Sequence, residues 1–315
     1  MRKPVSTLFL AALCLTACAG ALPALESPED AQKYEACMRE GIEILRSGNR
    51  DESARALARF KHALKLRPES AEAYYWIALT YSDQNNFPPA ANNAKDATIY
   101  DDKFANAWLL WGQALMYMSQ WRDALEKLET AARLDPENPI TQYNLGRVHF
   151  HGFGDPDAAL PKFRSVWQMS QRLRREHPEA AALVVQARLY MGYCESDRGR
   201  WENAINAFRD VLADVGSNYD AALRLAIAYR NSGRPAECQQ ILLNLVNVVP
   251  VDSPSNRRTL AETHLHLAHL YLRDPGLRNG ELAIDHLKLF ISFVGDAHPM
   301  LEAAREYVAA REIFD

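Results

Sequence analysis

Residues 105–136 read ANAWLLWGQALMYMSQWRDALEKLETAARLDP. Trp108, Trp111 and Gly112 open the stretch, Ala124 and Leu128 follow, and Pro136 closes it. The spacing recurs along the chain. Ala90 and Ala124 stand 34 residues apart, as do Ala204 and Cys238, and Gly192 and Ala226; Pro68 and Pro136 are separated by twice that distance. A fixed period of this length marks an array of supersecondary units that bury their apolar faces only by stacking on one another. Small residues at fixed offsets let two helices approach closely, large ones nearby fill the space, and a closing Pro stops the second helix.

These residues resemble the tetratricopeptide repeat, whose pattern is Trp-x2-Leu-Gly-x2-Tyr, then Ala-x3-Phe, then Pro. Further copies read Leu145-Gly146 with Ala159-x3-Phe163, then Gly192, Gly199 and Ala204-x3-Phe208. Another has Leu225-Ala226-x2-Tyr229, Gly233, Cys238 and Pro250. Turn residues fall between the two halves of each unit at Asn85-Asn86, Gly199 and Gly233. The resemblance implies an all-α, right-handed α-solenoid of stacked helix-turn-helix units. About seven units begin near Tyr34, Ala71, Ala105, Pro139, Val185, Tyr219 and Ala261. Residues 299–315 form a capping helix whose Glu302, Arg305, Glu306 and Arg311 suit a solvated end. Two units depart from the period. The fourth runs 46 residues instead of 34, and the excess, Ser165 to Pro178, is expected to lengthen its second helix and carry Arg172, Arg174 and Arg175 outward. An insertion, Val251 to Leu260, follows the sixth, as a loop or protruding helix. Pro161 sits deep enough in its helix to kink it.

The start of the chain speaks to location. Arg2 and Lys3, an apolar run from Leu8 to Leu15, and a small residue before Cys18 have the form of a secretory leader. The run is shorter than the ~20 residues of a spanning helix. Leu15-Thr16-Ala17-Cys18 resembles the lipobox of bacterial lipoproteins, which implies cleavage before Cys18 and acylation there. The alternative is an ordinary leader cut after Ala21. The expected layout is a leader over 1–17, a lipidated tether over 18–33 and repeats over 34–298. Several acyl chains hold a protein on a membrane face far more firmly than one. The tether, fully extended, reaches on the order of 50 Å. Ala19 replaces the Asp that retains lipoproteins at the inner membrane of enteric bacteria. That implies the periplasmic face of the outer membrane.

The 48% hydrophobic content is enough for a large packed body and too high for a disordered chain. Loss of Arg2 and Lys3 with the leader takes the 36 basic residues to 34 against 40 acidic ones, a net of −6. Such a balance offers no general attraction to nucleic acid. Cys37, Cys194 and Cys238 are far apart and suit small buried positions rather than a disulfide framework.

In the tetratricopeptide family the first helices line a concave groove. Carried over by position, the residues here that would face a partner are Tyr75, Gln113, Tyr117, Tyr143, Arg147, His151, Tyr193 and Arg230. Aromatic residues and Arg are what protein-binding surfaces favour. The carboxylate-gripping set of the chaperone adaptors has no match, because Tyr75, Leu109 and Leu110 occupy its places. The resemblance therefore implies a non-enzymatic adaptor holding an envelope protein or peptide segment. The jobs it suggests are pilus secretin assembly, outer-membrane barrel assembly or hydrolase delivery. An alternative is a metal-binding or enzymatic accessory using His264, His266, His269 and His286. His266 and His269 share a face, His286 lies on the facing helix and His264 points elsewhere, with no carboxylate or Cys at matching spacing. The chain has no phosphate loop, Gly-x-Ser-x-Gly, His-Glu-x-x-His or Cys-x-x-Cys. No catalytic residue, metal or cofactor is assigned.

Overall fold

The computed structural model describes residues 27–47, 52–169, 181–295 and 298–312. Among them are fifteen α-helices and no strand. The chain is an all-α protein of the solenoid class, divided into two bodies that meet in sequence at Ala187 and Arg188.

The N-terminal body is built of helix hairpins. α1 (Pro28–Arg46) pairs with α2 (Ser53–Leu66), α3 (Ala71–Asp83) with α4 (Phe87–Tyr100), and α5 (Ala105–Tyr117) with α6 (Trp121–Leu134). α7 (Pro139–Arg147) continues through a π-helical turn, Val148–Gly152, and pairs with α8 (Pro156–Gln168). In the C-terminal body, α9 (Ala181–Asp197) straddles the division and is followed by α10 (Trp201–Val215). α11 (Tyr219–Asn231) pairs with α12 (Pro235–Val248), α13 (Pro254–Arg273) with α14 (Gly280–Phe293), and α15 (Leu301–Glu312) packs on α14.

Several hairpins close where a glycine on the first helix meets a large residue on the second. A Cβ added at Gly41 would lie 2.5 Å from the Phe60 ring, at Gly146 2.7 Å from Phe163, and at Gly192 2.4 Å from Phe208. Phe60, Phe163 and Phe208 are fully buried. The turns are equally regular. Asn85, Ser119, Gly199 and Gly233 all have positive φ, and the amide following each donates to a carbonyl five residues back: Tyr81, Leu115, Glu195 and Tyr229. This is the left-handed C-terminal stop that satisfies a helix's last carbonyls. Ser119 fills it despite its side chain, which disfavours that conformation.

Side-chain caps fix where several of the first helices start. Ser70, Asn138 and Asn218 are buried and accept the amides of Ala73, of Ile140 and Thr141, and of Ala221.

Several expectations change. α1 begins at Pro28, because Ser27 accepts the Asp30 amide, Pro28 opens the helix, and Glu29 and Asp30 face its positive end. Residues 28–33 therefore belong to the first hairpin instead of the tether. Val251 to Leu260 is mostly helix: Ser253 caps α13 and Pro254 starts it, giving the last hairpin a first helix of 20 residues. α8 stops at Gln168 with no lengthening up to that point, after running through Pro161. Arg172, Arg174 and Arg175 lie outside the described residues, as do Cys18 and the leader. Cys37, Cys194 and Cys238 are buried free thiols. Burial pushes the Cys194 thiol up to about 12 and Cys238 up to about 11, which leaves both as thiols at neutral pH.

Candidate functional site: the first-helix faces

First helices touch first helices. α1 packs on α3, α3 on α5, and in the C-terminal body α11 on α13. Residues a few turns apart on neighbouring hairpins therefore become neighbours in space.

In the N-terminal body this produces an aromatic ladder with an arginine in it. Phe87, at the start of α4, stacks on Tyr117 at the end of α5, with centroids 4.7 Å apart. The Arg147 guanidinium, at the end of α7, lies 5.6 Å from the Tyr117 ring and 5.8 Å from the Tyr143 ring. Tyr143 in turn meets the buried Phe163 edge-on at 5.8 Å. A guanidinium within ~6 Å of a ring gains roughly 0.5–1 kcal/mol at exposed sites and more when water is excluded. Tyr117 nevertheless stays 42% exposed. His151 sits one turn beyond Arg147, edge-on to Phe150 at 5.1 Å. Exclusion of water, and then the Arg147 charge, hold its imidazole below the ordinary range. The π turn carries this pair. Its Gly152 admits Trp121, whose Cβ lies 2.8 Å from where a glycine Cβ would stand. Such turns are frequent at functional sites. Tyr75 is half-buried between Trp76 and Phe104, with centroids at 5.7 and 5.0 Å, so it serves the stack as much as the surface. Gln113 is half-buried one turn before Tyr117.

The C-terminal body carries Tyr193 and Arg230. The Tyr193 hydroxyl donates to Asp220, and the Arg224 guanidinium lies 5.7 Å from its ring. Burial, and then the Asp220 carboxylate, raise the Tyr193 phenol far above its usual value. It is a neutral donor at any physiological pH. Arg230 donates from Nη1 to His266 Nδ1 at 3.0 Å. A guanidinium cannot accept, so His266 is neutral with its proton on Nε2.

The four terminal histidines separate into two groups. His264 is turned inward, contrary to expectation, and its Nδ1 lies 2.9 Å from His286 Nδ1. Their rings stack, with Phe293 on His264 and Tyr271 on His286. His266 and His269 lie on the other face of α13, towards Arg230. The reason is angular: 264 and 271 share one stripe of a 3.6-residue helix, and 266, 269 and 273 share another. Among the described residues no group of three His, Cys, Asp or Glu is placed to hold a metal ion.

Models of the tetratricopeptide repeat match residues 45–97, 109–167 and 195–257, together more than half of the chain. The chain belongs to the tetratricopeptide repeat family. A curated repeat protein, small glutamine-rich tetratricopeptide repeat-containing protein 2 of Mycosarcoma maydis, is 28% identical over 119 residues, 38% of this chain and 33% of that one. The chain spans a third or less of the curated relatives it matches. The solved structure of Pseudomonas aeruginosa pilF superposes with a TM-score of 0.58 at 19% identity, covering 74% of this chain and 99% of that one. YrrB, described as a repeat protein with an unusual peptide-binding site, gives 0.52 at 21% identity, over 61% and 93%. At these identities the structural likeness concerns the fold.

Tetratricopeptide repeats mediate protein–protein interaction, generally without chemistry of their own. Tyr117, Tyr143 and Arg147, expected on the first-helix faces, stand together there. Phe87 on Tyr117 and Arg224 on Tyr193 were not expected: Phe87 reads as a turn residue before Pro88-Pro89, and Arg224 lies off the family's contact positions. The signal for Arg224 was Asp220, one helical turn earlier and 3.6 Å away. No helix among the described residues is long and apolar enough to cross a membrane.

Proposed function

We propose that this chain is a non-enzymatic scaffold, anchored by lipid at Cys18 to the periplasmic face of a bacterial outer membrane, that holds a segment of another envelope protein on its first-helix faces during assembly of an envelope complex. The observation that carries the reading is Arg147, held over Tyr117 and Tyr143 from successive hairpins while Tyr117 remains open to solvent. Rings and a guanidinium fixed in advance lose little side-chain entropy when a polypeptide lies across them, so more of the contact energy appears as affinity. The anchor is supported by Leu15-Thr16-Ala17-Cys18 behind its basic and apolar leader.

A photo-crosslinking amino acid at Tyr117 or Arg147, in cells, should capture a defined partner that the same probe at exposed Lys95 on α4 does not. Capture from position 95 alone would overturn the surface assignment. Metabolic labelling with an alkyne fatty acid should mark the wild-type chain and not Cys18→Ala. Equal labelling of both would remove the anchor.

A further inference from the structure

On the first-helix face of the C-terminal body stand cations that no carboxylate among the described residues pairs with. Arg224 is served by Asp220 at 3.6 Å, with Asp197 also in its field. Arg230 and Arg273 have no carboxylate partner among the described residues, and the nearest polar partner of Arg230 is the neutral His266. His269 stands between them on α13, in the field of both arginines. Glu262, on the same stripe of α13, is turned to His298 at 3.4 Å. Burial, then Arg230, His269 and Arg224, hold the His266 imidazole down at about 3. Two arginines and two histidines therefore share this face, and among the described residues no carboxylate is paired with either arginine, although the protein as a whole is net acidic.

We propose that this face, Arg230, His266, His269 and Arg273, receives the carboxylates of an acidic polypeptide segment. The inference rests on the first-helix faces being polypeptide-binding and adds the chemistry of the segment. Arg matches a carboxylate with two parallel donors, and a charge-assisted bond in a partly dry site is about twice as strong as a neutral one. The aromatic ladder of the N-terminal body has no equivalent excess of charge. Acidity is thus a requirement of the C-terminal contact.

The test uses the full folded chain and labelled hexaglutamate, with hexaglutamine as control, followed by fluorescence anisotropy. Hexaglutamate should bind with strong salt dependence and hexaglutamine should not. The double variant Arg230→Gln/Arg273→Gln should weaken binding by roughly tenfold or more. Arg257→Gln/Arg258→Gln, an equal loss of charge at the start of α13, should change it by no more than about twofold. In the wild-type chain, hexaglutamate should shift the His269 imidazole resonances and move their titration to higher pH; this readout needs no variant to fold. Equal binding of hexaglutamine, equal loss in the two double variants, or unmoved His269 resonances would each overturn the proposal. So would binding to phosphatidylglycerol vesicles through Arg230 and Arg273 without binding of hexaglutamate. If crosslinking at Tyr117 captures a partner while hexaglutamate fails, only the acidic requirement falls. If both fail, the scaffold reading falls with it.

Discussion

A methyl group placed on residue 192 would stand 2.4 Å from a carbon of the Phe208 ring, and that ring is fully buried. Helix propensity alone would reward Gly→Ala by up to about 1 kcal/mol. Forcing extra volume into a packed crossing costs typically ~1–3 kcal/mol. The ring cannot retreat without moving α10, so the steric cost wins. Gly192→Ala should lower unfolding stability by about 1–2 kcal/mol in urea titrations, and Phe208→Leu in the same chain should restore part of it. A gain of stability in Gly192→Ala would show that α10 yields. These glycines were legible in the sequence because the repeat pattern reserves their position. Tyr117 and Arg147 were legible too, as surface positions, but their stacking was not. It depends on the C-terminal ends of α5 and α7 arriving side by side.

The elements are held by their ends. Ser119 carries φ of 60° where Gly199 and Gly233 carry 69° and 80° at the matching turns. Ser119→Gly should stabilise the α5–α6 hairpin by about 1 kcal/mol, read as a rise in the midpoint of thermal unfolding. The 34-residue spacing from Asn85 marks Ser119 as a turn centre, although a serine side chain disfavours the positive φ it carries there. The α13–α14 hairpin has a different weakness. His264 is buried against His286, and burial, then that neighbour, lower its imidazole from 6.5 to about 4. Unfolded, it regains a proton below pH 6.5; folded, it resists down to about 4. The unfolded state thus binds more protons in that window. Stability is complete above it and falls as pH drops through it, by up to roughly 1.4 kcal/mol per pH unit for one histidine. Urea midpoints measured from pH 7 to 4.5 should decline, and His264→Gln should flatten the slope. A slope unchanged in the variant would mean His264 takes up its proton as readily folded as unfolded.

At the scale of the molecule, hairpins within each body touch their sequence neighbours, so perturbations should fade with distance along the chain. Hydrogen exchange of Gly41→Ala should show faster opening in α1 to α4 and wild-type rates in α13 and α14. A uniform change would mean the chain opens as a single cooperative unit. The all-α class, the hairpin unit and the residues reserved for close approach follow from the order of the amino acids, because a steric rule repeated every 34 residues leaves little freedom in how one unit closes. That order also marks the first-helix positions, since helical periodicity fixes which residues share a stripe. Three-dimensional packing was needed to show that the long last hairpin absorbs residues 254–260 into α13, that His264 pairs with His286, and that Arg230 turns to His266. Those outcomes depend on which stripe of one helix meets which stripe of the next. That is set by packing between units, where the repeat pattern is silent.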